Sequence, residues 1–125
     1  MAQEKRDFNI LFRRPKYPLI VISANNLLLA ALNIKELAVC CLSATPVKEG
    51  GVVKAIDSTG EEFWYSPENC AISPGFAFKI WTKKQIIELY NNCDLVMDDT
   101  KYSEKSLSGK RLSHIIADIC NLLRS

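Results

Sequence analysis

Apolar and polar positions alternate at the start of the chain: Phe8, Ile10 and Phe12 fall on every second residue, and Pro15 and Pro18 follow. That period predicts a strand over 7–14 with one buried face, ended by the prolines. Leu19-Ile20-Val21-Ile22 is an unbroken run rich in β-branched residues, which predicts an inner strand over 18–23 covered on both faces. Ser23 is a suitable helix cap, and the Leu- and Ala-dense stretch 25–32 predicts a short buried helix. Leu37-Ala38-Val39-Cys40-Cys41-Leu42 suits a helix turn or a strand, and the neighbouring Thr45, Pro46, Gly50 and Gly51 tilt the reading to strand.

The segment 51–66 carries the clearest local pattern. Two runs rich in Val, Ile and aromatic residues flank Asp57-Ser58-Thr59-Gly60, with glycine where a short hairpin loop needs a positive φ. Pairing Asp57 with Glu61 sets Ala55 opposite Phe63 and Val53 opposite Tyr65 on one face. Lys54 then lies opposite Trp64 on the other, which suits a cation–π contact. Beyond it, Ser66-Pro67 and Ser73-Pro74-Gly75 bracket an expected irregular connection, and Phe76, Phe78 and Ile80 alternate as a further strand ending near Trp81.

Thr82 followed by Gln85 is a capping-box pattern, and Ile86, Leu89, Tyr90 and Cys93 share one face of the helix it opens. The stretch 94–108 is polar apart from Leu95-Val96-Met97, a candidate edge strand. Leu112, Ile115, Ile116, Ile119 and Leu123 recur at helical spacing after a Ser108 cap, which predicts a C-terminal helix packed on the sheet. The elements add up to one α+β domain over 1–125: a mainly antiparallel sheet of about five or six strands, two C-terminal helices on one face and a short early helix.

Composition narrows the function classes. The 125 residues are 48% hydrophobic and 24% charged, so a chain of this size can bury about two-thirds of its extended surface without staples. The net charge is +2, too small to specify a polyelectrolyte partner. The basic residues Lys5, Arg6, Arg13, Arg14 and Lys16, diluted by Glu4 and Asp7, fall short of the roughly six to ten phosphate contacts of a strong binder and argue against nucleic acid. The apolar runs 27–32 and 37–42 are far shorter than the roughly 18 residues of a membrane span, and the polar start does not resemble a secretion signal. An odd set of five cysteines, two of them adjacent, points to a reducing cytoplasm rather than a disulfide framework.

Candidate chemistry is sparse. His114, the single histidine, lies opposite the apolar stripe of its helix and reads as a solvated side chain. Cys40, Cys41, Cys93 and Cys120 fall on apolar runs and match buried thiols, whereas Cys70, in a polar connection, is the thiol expected to be exposed. Paired Cys-x-x-Cys zinc spacing is missing, Asp94, Asp98 and Asp99 lack the order of a calcium loop, and no cofactor motif is present. Ser108-Gly109-Lys110 at a helix start is a candidate anion site, although it lacks the full glycine-rich phosphate loop.

Aromatic density is the uneven feature. Phe63, Trp64, Tyr65, Phe76, Phe78 and Trp81 hold both tryptophans of the chain. Because neighbouring strand residues point to opposite faces, Phe63-Trp64-Tyr65 cannot be buried by one layer. The expectation is a non-catalytic cytoplasmic interaction module, such as a small inhibitor, immunity or adaptor protein, that binds a protein partner or a second copy of itself. Its contact surface would be an open sheet face around Lys54, Trp64 and the 66–75 connection, with Tyr65, Cys70 and Trp81 as further contact residues. The alternative is a small-ligand-binding or enzymatic domain with a pocket between sheet and helices, drawing polar groups from Tyr65, Cys70, Tyr90 or Lys110.

Overall fold

Asp57 organises the hairpin that centres the fold. Its buried carboxylate accepts hydrogen bonds from the Thr59 and Glu61 backbone N–H groups, at 2.9 and 3.2 Å, and from that of Lys16 at 3.1 Å. Gly60 takes φ +87° at the same turn. The flanking strands β4 (Val53–Ile56) and β5 (Glu62–Ser66) then pair with Val53 opposite Tyr65, Lys54 opposite Trp64 and Ala55 opposite Phe63, the register that the turn chemistry predicts.

The computed structural model describes residues 8–76, 78–93, 101–102 and 109–124. Around the hairpin stand β1 (Asn9–Ile10), β2 (Leu19–Ser23), β3 (Leu27–Ala31) and β6 (Ala71–Pro74). Together they make a six-stranded sheet in the order β1-β6-β5-β4-β2-β3, antiparallel except for the β1–β6 pair. Three helices complete the α+β fold: α1 (Ile34–Ser43), α2 (Lys83–Asn91) and α3 (Leu112–Arg124).

Two expectations exchange places. The stretch 25–32 is not a helix but strand β3, because Asn25 and Asn26 adopt positive φ values of 66° and 57° and turn the chain back so that Ser23 pairs with Leu27. Asparagine tolerates this conformation better than most residues. The run 37–42, expected as a strand, is the body of α1. Asn33 accepts a hydrogen bond from the Glu36 N–H at 3.0 Å, and the Glu36 carboxylate reaches back to the Leu32 N–H at 3.1 Å. The early helix therefore exists, one element later than the Leu/Ala density suggests.

Smaller corrections follow the same logic. The first strand shrinks to Asn9–Ile10, since Phe12 turns to φ 68° and leaves the alternation. Strand β6 occupies part of the expected irregular connection 66–75, and the expected strand 76–81 contributes one bridge, Ile80 with Glu61. The capping box at Thr82 and Gln85 is present at α2. Leu95, Val96, Met97, the three aspartates Asp94, Asp98 and Asp99, and Ser108 lie outside the described residues.

Both sides of the sheet carry helices. On one, Leu19, Val21, Val53, Ala55, Phe63, Tyr65 and Ile72 pack against Leu37, Cys40 and Cys41 of α1. On the other, Ile20, Leu28 and Ile56 pack against α2 through Ile86, Ile87 and Tyr90 and against α3 through Ile115, Ile116 and Ile119. The α3 contacts fall on β2 and β3. Beyond Ile56, the β4–β5–β6 half of that second side is thus left to the side chains of Lys54 and Trp64 and to residues 75–76 and 78–81.

Candidate functional site

The pleat sends Phe63 and Tyr65 into the α1 side, where Phe8 stacks on Tyr65 at 5.7 Å between ring centroids. Trp64 and Glu62 face the opposite side. That is the side of the C-terminal helices, not a bare face opposite them, so the expected open sheet face is corrected: the accessible area is the part of the helix-bearing side that α2 and α3 leave uncovered.

One carboxylate assembles the site. Glu62, 3% exposed, accepts the indole N–H of Trp64 at 2.7 Å and that of Trp81 at 3.0 Å, one on each oxygen. Two further contacts fix Trp81. Its backbone N–H donates to the Gly60 carbonyl at 2.7 Å, and the Glu62 N–H donates to the Lys79 carbonyl at 3.0 Å. The 79–81 segment is thereby laid along the hairpin, and the Lys79 ammonium comes to rest 4.1 Å from the Trp81 ring centroid. The backbone of Gly75 packs against the same pyrrole part of Trp64, where an added Cβ would lie 2.8 Å from Nε1. Phe76 meets the Trp64 ring edge-on at 5.5 Å.

A cleft of about 610 Å³ opens beside these rings. It is lined by Trp64, Trp81, Lys48, Lys54 and Lys79, with Ile22, Val47, Val52 and Leu89 supplying apolar walls. Lys54 is exposed and lines the cleft with Trp64, but it does not lie over the Trp64 ring; the cation–π contact expected there is replaced by that of Lys79 with Trp81.

A second feature adjoins the first through Phe76. Phe12, Phe76 and Phe78 are 89%, 75% and 80% exposed, and together with Arg13, Pro74 and Gly75 they line a depression of about 460 Å³. Phe12 and Phe78 both hold positive φ, at 68° and 52°, a conformation that costs a bulky residue free energy. Arg13 is tied down by a bidentate ion pair with Glu61 and sits 5.8 Å from the Phe63 ring centroid. The Arg13 guanidinium, hydrogen-bonded to Glu61, has its pKa raised further.

Of the residues singled out from sequence, the structure brings Lys54, Trp64 and Trp81 to one cleft and leaves the other described ones elsewhere. Tyr65 is buried beneath α1. Cys70 is buried, not exposed, because φ 49° in the β5–β6 turn folds its thiol toward the Pro67 carbonyl. Tyr90 belongs to the α2 core. At the candidate anion site, Lys110 donates to the Asp118 carboxylate at 2.9 Å and to the Tyr102 hydroxyl at 3.1 Å. Gly109 and Lys110 precede α3, which starts at Leu112. His114 is exposed, with Nε2 3.5 Å from Asp118. Burial pushes the thiols of Cys41 and Cys120 up to about 12.

The phenylalanine cluster is the part of the site that sequence reasoning missed. Its only signal is that Phe76 and Phe78 alternate next to Pro74 and Gly75, which reads as strand until the positive φ at Phe78 breaks the period. Comparison with models of protein families, with curated protein sequences and with solved structures finds no match to this chain. Among the described residues, no helix is long and apolar enough to cross a membrane.

Proposed function

We propose that this chain is a non-catalytic protein-interaction module, of the inhibitor, immunity or adaptor kind, that docks through Phe12, Phe76 and Phe78. The observation carrying the reading is that three phenylalanines, from two separate loops, stand exposed around one depression. Large rings are rarely left in water without a partner, and aromatic residues beside arginine are frequent anchors of protein interfaces. Arg13 supplies the polar edge, already held by Glu61 and so bound with little further loss of side-chain freedom. A cytoplasmic setting belongs to the same proposal, supported by five free, buried thiols.

A photoreactive p-benzoylphenylalanine at position 78 tests the reading, with the same group at exposed Val39 on α1 as the control. The expected result is a discrete adduct from position 78 alone, lost in the Phe12→Ser/Phe76→Ser background. Light scattering separates a second copy of this chain from another protein by the mass of the complex. Identical labelling from positions 78 and 39 would overturn the docking surface.

A further inference from the structure

We infer that the cleft between Trp64, Trp81 and the lysines binds a small planar aromatic anion, a carboxylate, sulfonate or phosphate carried on one or two fused rings. The docking reading and this one rest on different residues, so either can fail alone. The volume of about 610 Å³ falls within the usual range of small-molecule sites. Its walls are of two kinds. Ile22, Val47, Val52, Leu89 and the two indoles give flat, apolar contact, which favours a ring over a hydrated ion.

The polar part of the lining carries one sign. Lys48, Lys54 and Lys79 line the cleft and, among the described residues, none of them makes an ion pair. Among the described residues, no acidic residue lines the cleft. Glu62, the carboxylate bonded to the two rings, has each oxygen occupied by an indole N–H, so it fixes the rings and offers no exposed acceptor to an incoming donor. A cation would meet three ammonium groups, and a neutral ring would gain the walls without using them. An aromatic anion uses both, because charge-assisted bonds from lysine are stronger than neutral ones. Preorganisation supports the same conclusion: the Glu62 carboxylate, the Gly75 backbone and the Gly60 carbonyl hold the indoles in place before any ligand arrives.

Both tryptophans of the chain lie in the cleft, so their emission reports occupancy directly. The probe is 8-anilinonaphthalene-1-sulfonate, titrated into the full chain beside its uncharged analogue N-phenyl-1-naphthylamine. The sulfonate is expected to quench tryptophan emission saturably, with energy transfer to the probe, and at least tenfold more tightly than the uncharged analogue. Raising the salt should narrow that margin. Lys54→Glu/Lys79→Glu, both at exposed positions, should weaken the sulfonate at least tenfold, whereas Phe12→Ser/Phe78→Ser, which spares the Phe76 ring packed on Trp64, should leave it within about twofold. Equal binding of the two probes to the wild type overturns the anion assignment without recourse to any variant. Loss of quenching in the phenylalanine variant but not in the lysine variant moves the probe to the other patch and overturns it as well.

Discussion

Trp64 and Trp81 share a single carboxylate: both indole N–H groups end on Glu62, one per oxygen. The relationship ties strand β5 to the segment leading into α2 and makes one acidic residue responsible for the shape of the cleft. Buried carboxylates usually meet a cation. Here the partners are two neutral donors, so the acid positions rings without neutralising the lysines nearby.

Glu62→Gln tests this directly. The amide keeps one acceptor oxygen and turns an N–H₂ toward the second indole, leaving a donor unmet at a cost of about 1–3 kcal/mol. The urea midpoint should fall accordingly, with tryptophan emission shifted to the red as one ring is released. An unchanged spectrum would mean that the carboxylate does not hold the rings.

Gly60 and Gly50 make an internally controlled pair. Both have positive φ, at 87° and 75°, but an added Cβ at Gly60 would meet Leu112 Cδ2 at 2.5 Å and the Trp81 carbonyl at 3.0 Å, while at Gly50 nothing lies within 4 Å. The left-handed backbone alone costs an alanine about 1–2 kcal/mol. Gly50→Ala should therefore lose about that much in chemical denaturation, and Gly60→Ala should lose about 1–3 kcal/mol more from crowding. Equal losses would place Gly60 outside the packed contact.

What the sequence made legible follows from how local each signal is. The 53–66 hairpin was readable to its register because Asp57, Gly60 and the alternating β-branched and aromatic residues all act within a few positions. Helix α2 was readable because Thr82 and Gln85 form a local capping pair. The exchange of helix and strand between 25–32 and 37–42 has an equally local remedy in hindsight. Asn25-Asn26 offers two residues tolerant of positive φ, outweighed by Leu and Ala density, and Asn33 with Glu36 is a capping pair, outweighed by the Thr, Pro and Gly residues that follow the run 37–42. The placement of Trp64 on the same side of the sheet as Ile56 and the two C-terminal helices was not legible, because which face a helix covers is decided by contacts distant in sequence. Nor was the phenylalanine cluster, which needs Phe12 beside Phe78 across the sheet edge.

The five cysteines should be silent in the native state. All are free and buried, and burial pushes Cys41 and Cys120 up to about 12, far from the thiolate that reacts. Ellman's reagent at pH 8 should label none of them until guanidinium is added, then all five. The same shift fixes a pH dependence. The unfolded thiols ionise near pH 8.5 to 9, and the folded ones resist, so above that range the unfolded state binds fewer protons and stability falls as pH rises toward 12. Cys120→Ala should flatten this slope. Rapid labelling of one thiol in native protein would show a burial that opens locally.

The Lys110–Asp118 pair is expected to act only between two pH limits. Desolvation raises the Asp118 carboxyl, but hydrogen bonds from Lys110 and Tyr102 outweigh it and hold the pKa below the ordinary value. A depressed folded pKa gives stability that is present above the unfolded value, about 3.9, and is lost as pH falls through the folded one. The Lys110 ammonium is raised by the hydrogen bonds to Asp118 and Tyr102, so its share is full below its unfolded pKa, about 10.4, and is lost as pH rises through the folded one. Tyr102 joins the pair to α2, since its backbone N–H and carbonyl both bond the Asn91 side chain, at 2.8 and 3.1 Å. Thermal melts of wild type and Asp118→Asn should therefore differ at pH 7 and converge below pH 3, and Tyr102→Phe should narrow the pH 7 difference between the two. A difference that persists undiminished at pH 2 would show that Asp118 stabilises the α2–α3 junction by packing rather than by charge.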